Sequence, residues 1–458
     1  MAQTALDWAQ AKMRDRGVAP GAIDSFAHYF ELARSGATGI IAEASIEPLT
    51  APESLAGVQI DPDAARQALA QTVMIKLNGG LGTSMGLDRA KSLLSVRDGK
   101  NFLDLQVAQV LHARRAHGVR LPLLFMNSFR TRDDTLAHLA RYGDLAVEGL
   151  PLDFVQNAIP KIDAQTFEPV AWPDDPELEW CPPGHGDIYV ALEASGILED
   201  LLDKGFRYAS LANGDNLGAG PNATLAGWFA ASGAPYAAEV CVRTPNDRKG
   251  GHLAVRRSDG QLILRDTAQT APDEMDFFTD EHRHPYFHAN NLWLDLRALA
   301  DRFARHGAVL GLPLIVNRKT VDPADPTSTP VLQLETAMGA AIEVFPGARA
   351  IAVGRDRFLP VKGTNELLLL RSDVFDFGPD AVPRATVPDQ PRVDLGAPYR
   401  LVDDFERLVP VVPSLRQARS LTVRGAWTFD QPVTIVGDVT IPEAGAPASV
   451  PGGVLGDA

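Results

Sequence analysis

A glycine-rich segment followed by a lysine is the first part of the sequence whose residue types could do chemistry. Residues 77–86 read Leu-Asn-Gly-Gly-Leu-Gly-Thr-Ser-Met-Gly, and Lys91 comes five positions later. Glycines at 79, 80 and 82 let the backbone approach a ligand closely, and consecutive N–H groups can donate to phosphate oxygens. The pattern matches neither G-x-G-x-x-G nor GxxxxGK[ST], which argues against a dinucleotide fingerprint and a Walker loop. The alternative interpretation is a purely structural turn.

An aspartate in a tight turn is the second candidate. Asp215 lies in the run Asn213–Asn216, directly after the apolar residues 208–212. One carboxylate at such a place can hold Mg²⁺, which keeps most of its waters and takes its other ligands from substrate phosphates. The alternative is a turn aspartate that accepts hydrogen bonds from its own backbone.

A second lysine lies beside a predicted helix start. Lys362 precedes the helical run 367–370, and Thr364 is the predicted N-cap. The charge of the lysine and the free N–H groups of the helix could therefore combine into one anion site. The alternative is a solvated lysine.

A histidine between two glycines is the last polar candidate. His185 is flanked by Gly184 and Gly186, so a ligand could approach its imidazole closely. The ring could bind a sugar hydroxyl or a phosphate, although a lone loop histidine is also typical of polar surface. No serine or cysteine stands at a spacing that indicates nucleophilic catalysis.

The elements that must position these residues alternate between short apolar runs and helical stretches from about residue 72 to 375. Strands are predicted at 73–77, 121–126, 208–212 and 238–242. This alternation indicates an α/β domain with a largely parallel sheet. Ligands bind at the carboxyl ends of the strands in such sheets, and the polar clusters directly follow predicted strands.

The flanking regions have different patterns. Residues 1–70 are predicted to be a helical segment that packs on the rest, and five prolines make residues 376–398 a predicted linker without regular structure. In residues 399–458, Leu421 and Val423 recur twelve positions later as Val433 and Ile435. This period predicts stacked β coils that lean on the main domain.

One apolar stripe is predicted to be core. Leu334, Met338, Ile342 and Phe345 lie at helical spacing, and a Pro-Gly pair at 346–347 would end that helix. Residues 335 and 336 would then lie at the helix start, off the stripe.

Composition excludes several classes of protein. The 458 residues carry 43 Lys and Arg against 58 Asp and Glu, a formal charge of −15, so nucleic acid and anionic membranes are not expected as partners. The two cysteines exclude a disulfide scaffold and a four-cysteine zinc site, and fit a reducing compartment. The first 17 residues lack the apolar region of a signal peptide, so we expect a cytoplasmic protein.

Ordered blocks along the chain resemble the UTP–glucose-1-phosphate uridylyltransferase (UDP-glucose pyrophosphorylase) family of eukaryotic type. The blocks lie at 77–91, 126–135, 156–161, 182–189, 213–219, 249–251, 288–293, 333–337 and 357–362. The resemblance as a whole spans roughly residues 25–375. The sequence departs from the family at Asp88–Lys91, where Ala90 stands in place of the usual proline before the lysine.

This resemblance implies a Rossmann-like nucleotide-diphosphate-sugar transferase core, over residues 71–375, with a short C-terminal left-handed β-helix. It implies formation of UDP-glucose and pyrophosphate from UTP and glucose 1-phosphate, by direct displacement at the α-phosphorus with Mg²⁺. The resemblance implies that the nucleotide is bound by Leu77, Asn78, Gly79, Gly80, Gln156 and Gly184. It implies that the sugar phosphate is bound by His185, Asn213, Asn290, Glu335 and Thr336. Asp215 would bind the metal, and the catalytic lysines Lys91 and Lys362 would neutralise the phosphates.

Other functions stay open on the sequence. The nearest is a pyrophosphorylase for galactose 1-phosphate or an N-acetylhexosamine 1-phosphate, and the next is a non-catalytic UDP-sugar binder. A nicotinamide dehydrogenase is disfavoured because G-x-G-x-x-G is absent. The chain stops at Ala458, soon after residues 451–455, where family members have further coils used for assembly, so we expect a monomer or a dimer.

Overall fold

An eleven-stranded sheet forms the centre of the protein, and eight of its strands make one continuous path. The computed structural model describes residues 4–244, 247 and 250–457. The strands of the path are β1 (Glu53–Ser54), β2 (Thr72–Asn78), β3 (Leu123–Asn127), β4 (Asp153–Val155), β5 (Tyr208–Asn213), β6 (Tyr236–Val242), β7 (Tyr286–Asp295) and β8 (Arg349–Ala352). Their order across the sheet is β1-β8-β6-β7-β5-β2-β3-β4.

The path is mostly parallel. Strand β7 runs antiparallel to both of its neighbours, β5 and β6. All other neighbours in the path pair in parallel. The prediction of an α/β domain with a largely parallel sheet is therefore confirmed.

Helices lie on both faces of this sheet and in the units that flank it. They are α1 (Ala5–Asp15), α2 (Pro20–Arg34), α3 (Pro62–Ala70), α4 (Phe102–His117), α5 (Arg132–Leu139), α6 (Ile188–Ala194), α7 (Ile197–Asp203), α8 (Ala223–Ser232), α9 (Met275–Phe278), α10 (Leu296–His306), α11 (Thr364–Arg371) and α12 (Val402–Leu408). Among the described residues, no helix is both long and apolar enough to span a membrane.

Residues 73–75 of β2 show why the middle of this strand is apolar on both faces. Val73 and Ile75 join the hydrophobic cluster that contains α6 and α7. Met74, between them, joins the opposite cluster, with α4 and α8. Side chains alternate between the two faces of a strand, so a sheet with helices on both faces needs apolar residues at every position.

The predicted helix around residue 340 is wrong. Residues Pro330–Thr336 form a strand that pairs antiparallel with Leu314–Thr320, so Glu335 and Thr336 end a strand instead of starting a helix. A short 3-10 helix, Met338–Glu343, follows. The apolar residues of the predicted stripe are nevertheless buried. Pairing with the preceding strand overrides the local helical period.

The predicted cap at Thr364 is also wrong. Gly363 occupies the N-cap position of α11, and its N–H donates to Glu366 Oε2 at 2.8 Å. Thr364 is already the first residue of the helix and is buried. A glutamate in the first turn thus takes over the capping that the threonine was expected to provide.

The C-terminal unit consists of parallel coils with a longer repeat than predicted. Strands Arg392–Asp394, Ser414–Val423, Val433–Ile441 and Gly453–Leu455 form one parallel sheet. Leu421 pairs with Val439, an offset of 439 − 421 = 18 residues, so the twelve-residue period is wrong. The extra residues of each coil form a second ladder, in which Trp427–Thr428 pairs in parallel with Ala448–Ser449.

This unit leans on the main domain, as expected. Phe405, Leu408 and Ile435 share one hydrophobic cluster with Met85 and Leu367 of the main domain. Residues 376–398, predicted to lack regular structure, contain most of the hairpin Phe375–Phe377/Pro383–Ala385 and the strand Arg392–Asp394. The prolines sit at strand ends or between strands, where no ladder hydrogen bond is lost. The domain boundaries themselves stay a prediction.

Candidate active site

A cleft of about 360 Å³ lies at the carboxyl ends of β2, β3 and β5. Most of the residues singled out in the sequence line it: Leu77, Asn78, Gly79, Gly80, Lys91, Gln156, Gly184, His185, Asn213 and Asp215. Ser92, Met126, Pro182 and Gly214 complete its lining. The sheet therefore brings loops that are distant in the sequence to one edge, where ligands bind in folds of this kind.

The glycine segment and the Asp215 turn are joined directly. The Gly214 N–H donates to the Leu77 carbonyl at 2.8 Å, and the Lys91 N–H donates to the Gly80 carbonyl at 3.0 Å. Lys91 Nζ donates to Asp215 Oδ2 at 2.7 Å, and each side chain is about one-fifth exposed. A cation and a carboxylate thus meet on the wall of the cleft.

The side chain of Asn78 is committed to the protein. Its amide donates to Asn127 Oδ1 and to Thr135 Oγ1, both at 2.8 Å. Thr131 Oγ1 donates to the Asn78 carbonyl at 2.8 Å instead of capping α5. These contacts hold β2 against β3 and occupy the amide nitrogen of Asn78.

Gln156 joins two walls of the cleft. Its Nε2 donates to the Gly184 carbonyl at 2.7 Å. A Cβ atom at Gly79 would lie 3.0 Å from Gln156 Oε1, so the glycine permits this close packing. The amide donor is therefore in use, whereas the amide oxygen faces the glycine segment.

The loop of Gly184 and His185 packs against the end of the strand Pro330–Thr336. Gly184 has a φ of +79°, and a Cβ there would lie 2.4 Å from the Thr336 carbonyl oxygen and 2.9 Å from Glu335 Cβ. His185 Nδ1 accepts from the Met338 N–H at 2.9 Å, which leaves the proton on Nε2 of the neutral ring. Desolvation by the surrounding protein lowers the pKa of His185, which favours this neutral form.

Asn290 and Asn213 contact each other at the rim. Asn290 Nδ2 donates to Asn213 Oδ1 at 3.0 Å, and Asn290 has a φ of +56°. Asparagine tolerates this left-handed region better than most residues. The Asn290 N–H donates to His288 Nδ1 at 3.1 Å, and burial lowers the pKa of His288 to about 3.

A buried ion pair behind the Asp215 turn was not predicted from the sequence. Arg357 donates to both oxygens of Glu239, at 3.0 and 2.7 Å. Arg357 also donates to the Gly220 carbonyl, and its own carbonyl accepts from Asn216 Nδ2 at 3.0 Å. The pair thereby fixes the turn that carries Asp215. The only signal was a charged residue, Glu239, inside a predicted buried strand.

Lys362 lies in a different cleft. That cleft has a volume of about 620 Å³ and separates the start of α11 from the C-terminal sheet; Lys362, Glu366 and Arg392 are among its lining residues. Pro360, two residues earlier, forms an isolated bridge with Asn216, so the segment runs beside the Asp215 turn. The structure therefore does not place the two predicted catalytic lysines in one cavity.

The chain matches the family described as UTP–glucose-1-phosphate uridylyltransferase over residues 23–436. The protein belongs to this family. Within it, the chain is 37% identical over 408 residues to the enzyme of that name from Hordeum vulgare, covering 88% of this chain and 84% of the relative. It is 36% identical over 381 residues to the probable enzyme from Schizosaccharomyces pombe, covering 82% and 74%.

Solved structures of the uridylyltransferase family share the whole fold. A mutant of Leishmania major UDP-glucose pyrophosphorylase in complex with UDP-glucose superimposes with a TM-score of 0.91 at 40% identity, covering 98% of this chain and 97% of the other. The Trypanosoma brucei UDP-glucose phosphorylase gives 0.89 at 40% identity, covering 98% of both. Lys249, in one of the blocks that resemble the family, lies outside the described residues.

Proposed function

We propose that this protein forms UDP-glucose and pyrophosphate from UTP and glucose 1-phosphate. The observation that carries this proposal is the Lys91–Asp215 pair in a cleft floored by the glycine segment, in a chain that belongs to the uridylyltransferase family. The names of the relatives and the UDP-glucose complex of a structural neighbour support it.

The reaction must bring two anions together. Like unit charges about 4 Å apart repel by roughly 4 kcal/mol at an effective dielectric constant near 20, so the cleft must supply positive charge. Lys91 would leave Asp215 for the phosphates of UTP, and the N–H groups of Gly79 and Gly80 would donate to the nucleotide. An oxygen of the sugar phosphate then attacks the α-phosphorus directly; the bond from this phosphorus to the bridging oxygen breaks and pyrophosphate leaves, with no covalent intermediate on the protein. Catalysis would rest on positioning and charge stabilisation.

Asp215 fits the part of a Mg²⁺ ligand. Among the described residues, no group of three or more His, Cys, Asp or Glu side chains could hold a metal. A single carboxylate suffices for Mg²⁺, because the ion takes its other ligands from phosphates and water. When bound, the ion would neutralise phosphate charge beside the reacting phosphorus.

The remaining polar groups divide between the nucleotide and the sugar. The Gln156 amide oxygen is available for the uracil N3–H, since its Nε2 is used by Gly184. The His185 Nε2–H can donate to a phosphate or hydroxyl oxygen. Asn213 lines the cleft and contacts Asn290. Glu335 and Thr336 do not line it and pack against Gly184 of its wall. These four residues would bind the sugar hydroxyls. Lys362 would act on the phosphates from the neighbouring cleft.

Three further features are proposed. The two parallel ladders of the C-terminal unit support a short left-handed β-helix. The buried thiols of Cys181 and Cys241 are both free, which supports a reducing compartment such as the cytoplasm. A monomer or dimer stays the expected state, and light scattering during size-exclusion chromatography would test it; a stable octamer would contradict it.

Product analysis tests the proposed function. Purified protein is given UTP, Mg²⁺ and each of glucose, galactose and N-acetylglucosamine 1-phosphate, and UDP-sugar and pyrophosphate are quantified. We expect glucose 1-phosphate to give the highest kcat/KM, and Asp215→Ala and Lys362→Ala to lose most of it. A higher kcat/KM with another sugar would favour the alternative pyrophosphorylases, and turnover with none would favour a UDP-sugar binder.

A further inference from the structure

One buried asparagine joins two segments of the candidate active site. Asn216 directly follows Asp215 and is only 1% exposed. Its Oδ1 accepts from the Leu359 N–H at 2.9 Å, and its Nδ2 donates to the Arg357 carbonyl at 3.0 Å. Both partners belong to residues 357–362, the Lys362 segment. One side chain from the Asp215 turn therefore holds two backbone groups of the segment that carries the second predicted catalytic lysine.

The amide of Asn216 makes two more hydrogen bonds. Oδ1 also accepts from the Gly218 N–H at 3.1 Å, within the turn, and Nδ2 also donates to Asn291 Oδ1 at 3.0 Å, on β7. Both donors and both acceptor positions of the amide are thus in use. An asparagine that only stabilised its own turn would need the contact with Gly218 alone, so the bonds to the Lys362 segment require a separate explanation.

The backbones of the two segments lie in close contact. A Cβ at Gly218 would lie 2.3 Å from the Asp356 carbonyl oxygen, so only a glycine permits this approach. Pro360 forms the bridge opposite Asn216, but a proline has no N–H to donate across the contact. The side chain of Asn216 therefore supplies polar contacts to the Lys362 segment that this proline cannot make.

We propose that Asn216 is a positioning residue that acts through Lys362. This proposal rests on the proposed function. Lys362 follows Leu359 by three residues, so the backbone that Asn216 holds sets where the base of the lysine side chain lies. Lys362 lines the neighbouring cleft, and the phosphates would be bound beside Asp215. The ammonium group can then act on them only from a backbone that stays close to the Asp215 turn.

The test is a double-mutant cycle that combines Asn216→Ala with Lys362→Ala. kcat/KM for UTP is measured for the wild type, for both single variants and for the double variant. Asn222→Ala is the matched control and is taken through the same cycle. Asn222 follows the same turn, and its Oδ1 accepts from the Leu225 N–H at 2.9 Å, but this hydrogen bond caps α8 and does not join two segments.

The two lysine backgrounds should respond differently. With Lys362 present, Asn216→Ala should lower kcat/KM for UTP about tenfold or more, because the lysine loses its position. In Lys362→Ala, the same change should lower it by less than about threefold, because the group through which the asparagine acts is already absent. Asn222→Ala should give the same factor, within about twofold, in both backgrounds.

Asn216→Ser separates the contact within the turn from the contacts between segments. A serine hydroxyl can accept from the N–H two residues further on, here that of Gly218. Its side chain is one bond shorter than the amide, so it withdraws from Leu359 and Arg357. We expect this variant to lose as much activity as Asn216→Ala. Wild-type activity would show that the asparagine serves only its own turn, and would overturn the proposal.

Hydrogen exchange measures the contact between the segments without turnover. In Asn216→Ala the Leu359 amide loses its acceptor, so we expect residues 357–362 to exchange about tenfold faster than in the wild type. Asn222→Ala should leave their exchange unchanged. Unchanged exchange of residues 357–362 in Asn216→Ala would overturn the proposal.

The remaining outcomes separate this role from folding and from the proposed function. Circular dichroism and thermal melting establish folding. If neither Asn216→Ala nor Asn216→Ser folds while Asn222→Ala does, the asparagine serves the fold and the proposal is overturned. If the wild-type protein makes no UDP-sugar, the proposed function fails and this role falls with it. If the wild type makes UDP-glucose but Asn216→Ala gives equal factors in both lysine backgrounds, only the role of Asn216 fails.

Discussion

Lys91 and Asp215 hold each other at 2.7 Å in the cleft, and this contact is the residue-scale basis of the proposed chemistry. A lysine ammonium is a compact charge on a flexible stem, so it can exchange one anion for another by rotating its side chain. The carboxylate is less mobile, because its turn is bonded to Leu77 and backed by the Glu239–Arg357 pair.

Replacing Lys91 tests this exchange. We expect Lys91→Met to fold normally and to lower kcat/KM for UTP about 100-fold or more, since transition-state charge would lose its nearest side-chain cation. Steady-state kinetics with both substrates measures the loss. Lys100→Met, an exposed lysine in a nearby short hairpin, is the control and should retain activity. Wild-type kinetics in Lys91→Met would contradict the assignment.

Gly184 tests the close packing of the cleft wall. Gly184→Ala would place a Cβ 2.4 Å from the Thr336 carbonyl oxygen, so we expect loss of UDP-glucose binding and a lower melting temperature. Gly205→Ala is a matched control, because Gly205 also has a positive φ but has no atom within 4 Å of the added Cβ. Isothermal titration calorimetry measures the affinity of both variants for UDP-glucose. Equal effects of the two changes would show that backbone strain, and not the clash, matters.

At the scale of elements, parallel strands that end together assemble the site. Residues near 78, 127 and 213 are far apart in the sequence but adjacent in register. The Glu239–Arg357 pair connects this edge to β6 and to the segment before Lys362. Both side chains are almost completely buried, so each depends on the other for compensation of its charge.

Breaking this pair should destabilise the whole sheet edge. Glu239→Gln leaves the buried Arg357 charge uncompensated, and we expect the free energy of unfolding to fall by about 3–5 kcal/mol. Urea denaturation measures it. Glu406→Gln removes an exposed partner of Arg371 and should change stability by less than about 1 kcal/mol. A double variant Glu239→Gln/Arg357→Met that is no more stable than the single one would argue against this explanation.

At the scale of the whole molecule, the C-terminal unit and the glycine segment share one hydrophobic cluster. Met85, within the segment, is buried in that cluster together with Phe405 of α12. Leu401 also lies 3.2 Å from the position of a Cβ at Gly86. The C-terminal unit therefore supports the loop that is proposed to bind nucleotide.

Truncating Phe405 tests this support. We expect Phe405→Ala to lower the free energy of unfolding by about 3–5 kcal/mol and to raise the KM for UTP, because the cluster that holds Met85 loses a large buried side chain. Val454→Ala, at an exposed position of the same unit, should change neither. Loss of stability with an unchanged KM would show that the unit does not influence the loop.

A buried histidine cluster should make the fold sensitive to acid. Burial holds the pKa of His252 well below 6.5, and His284, Arg243 and Arg265 lower it further. As pH falls below about 6.5, His252 binds a proton in the unfolded chain but not in the native state. The free energy of unfolding therefore falls by about 1.4 kcal/mol per pH unit for this group.

Melting temperatures between about pH 7 and 5 check this dependence. His252→Leu should melt with a shallower dependence on pH than the wild type. His282→Gln, at an exposed position of the neighbouring loop, should keep the wild-type slope. Parallel curves for the wild type and His252→Leu would contradict the prediction.

The sequence by itself determined the α/β class, four strands of the eight-stranded path and most of the residues that line the cleft. It could do so because glycine-rich turns, buried strands and charged residues at strand ends leave local patterns, and because ordered blocks resemble one family. Asp215, Lys91 and His185 were all found in this way.

Only the tertiary structure decided which contacts those residues make. The strand at residues 330–336 depends on pairing with residues 314–320, which no local period encodes. The 18-residue coil offset, the separate cleft of Lys362 and the burial of Lys76 and Glu239 likewise depend on neighbours from distant segments. Local sequence fixes what a residue can do, whereas packing between distant segments fixes which partner it meets.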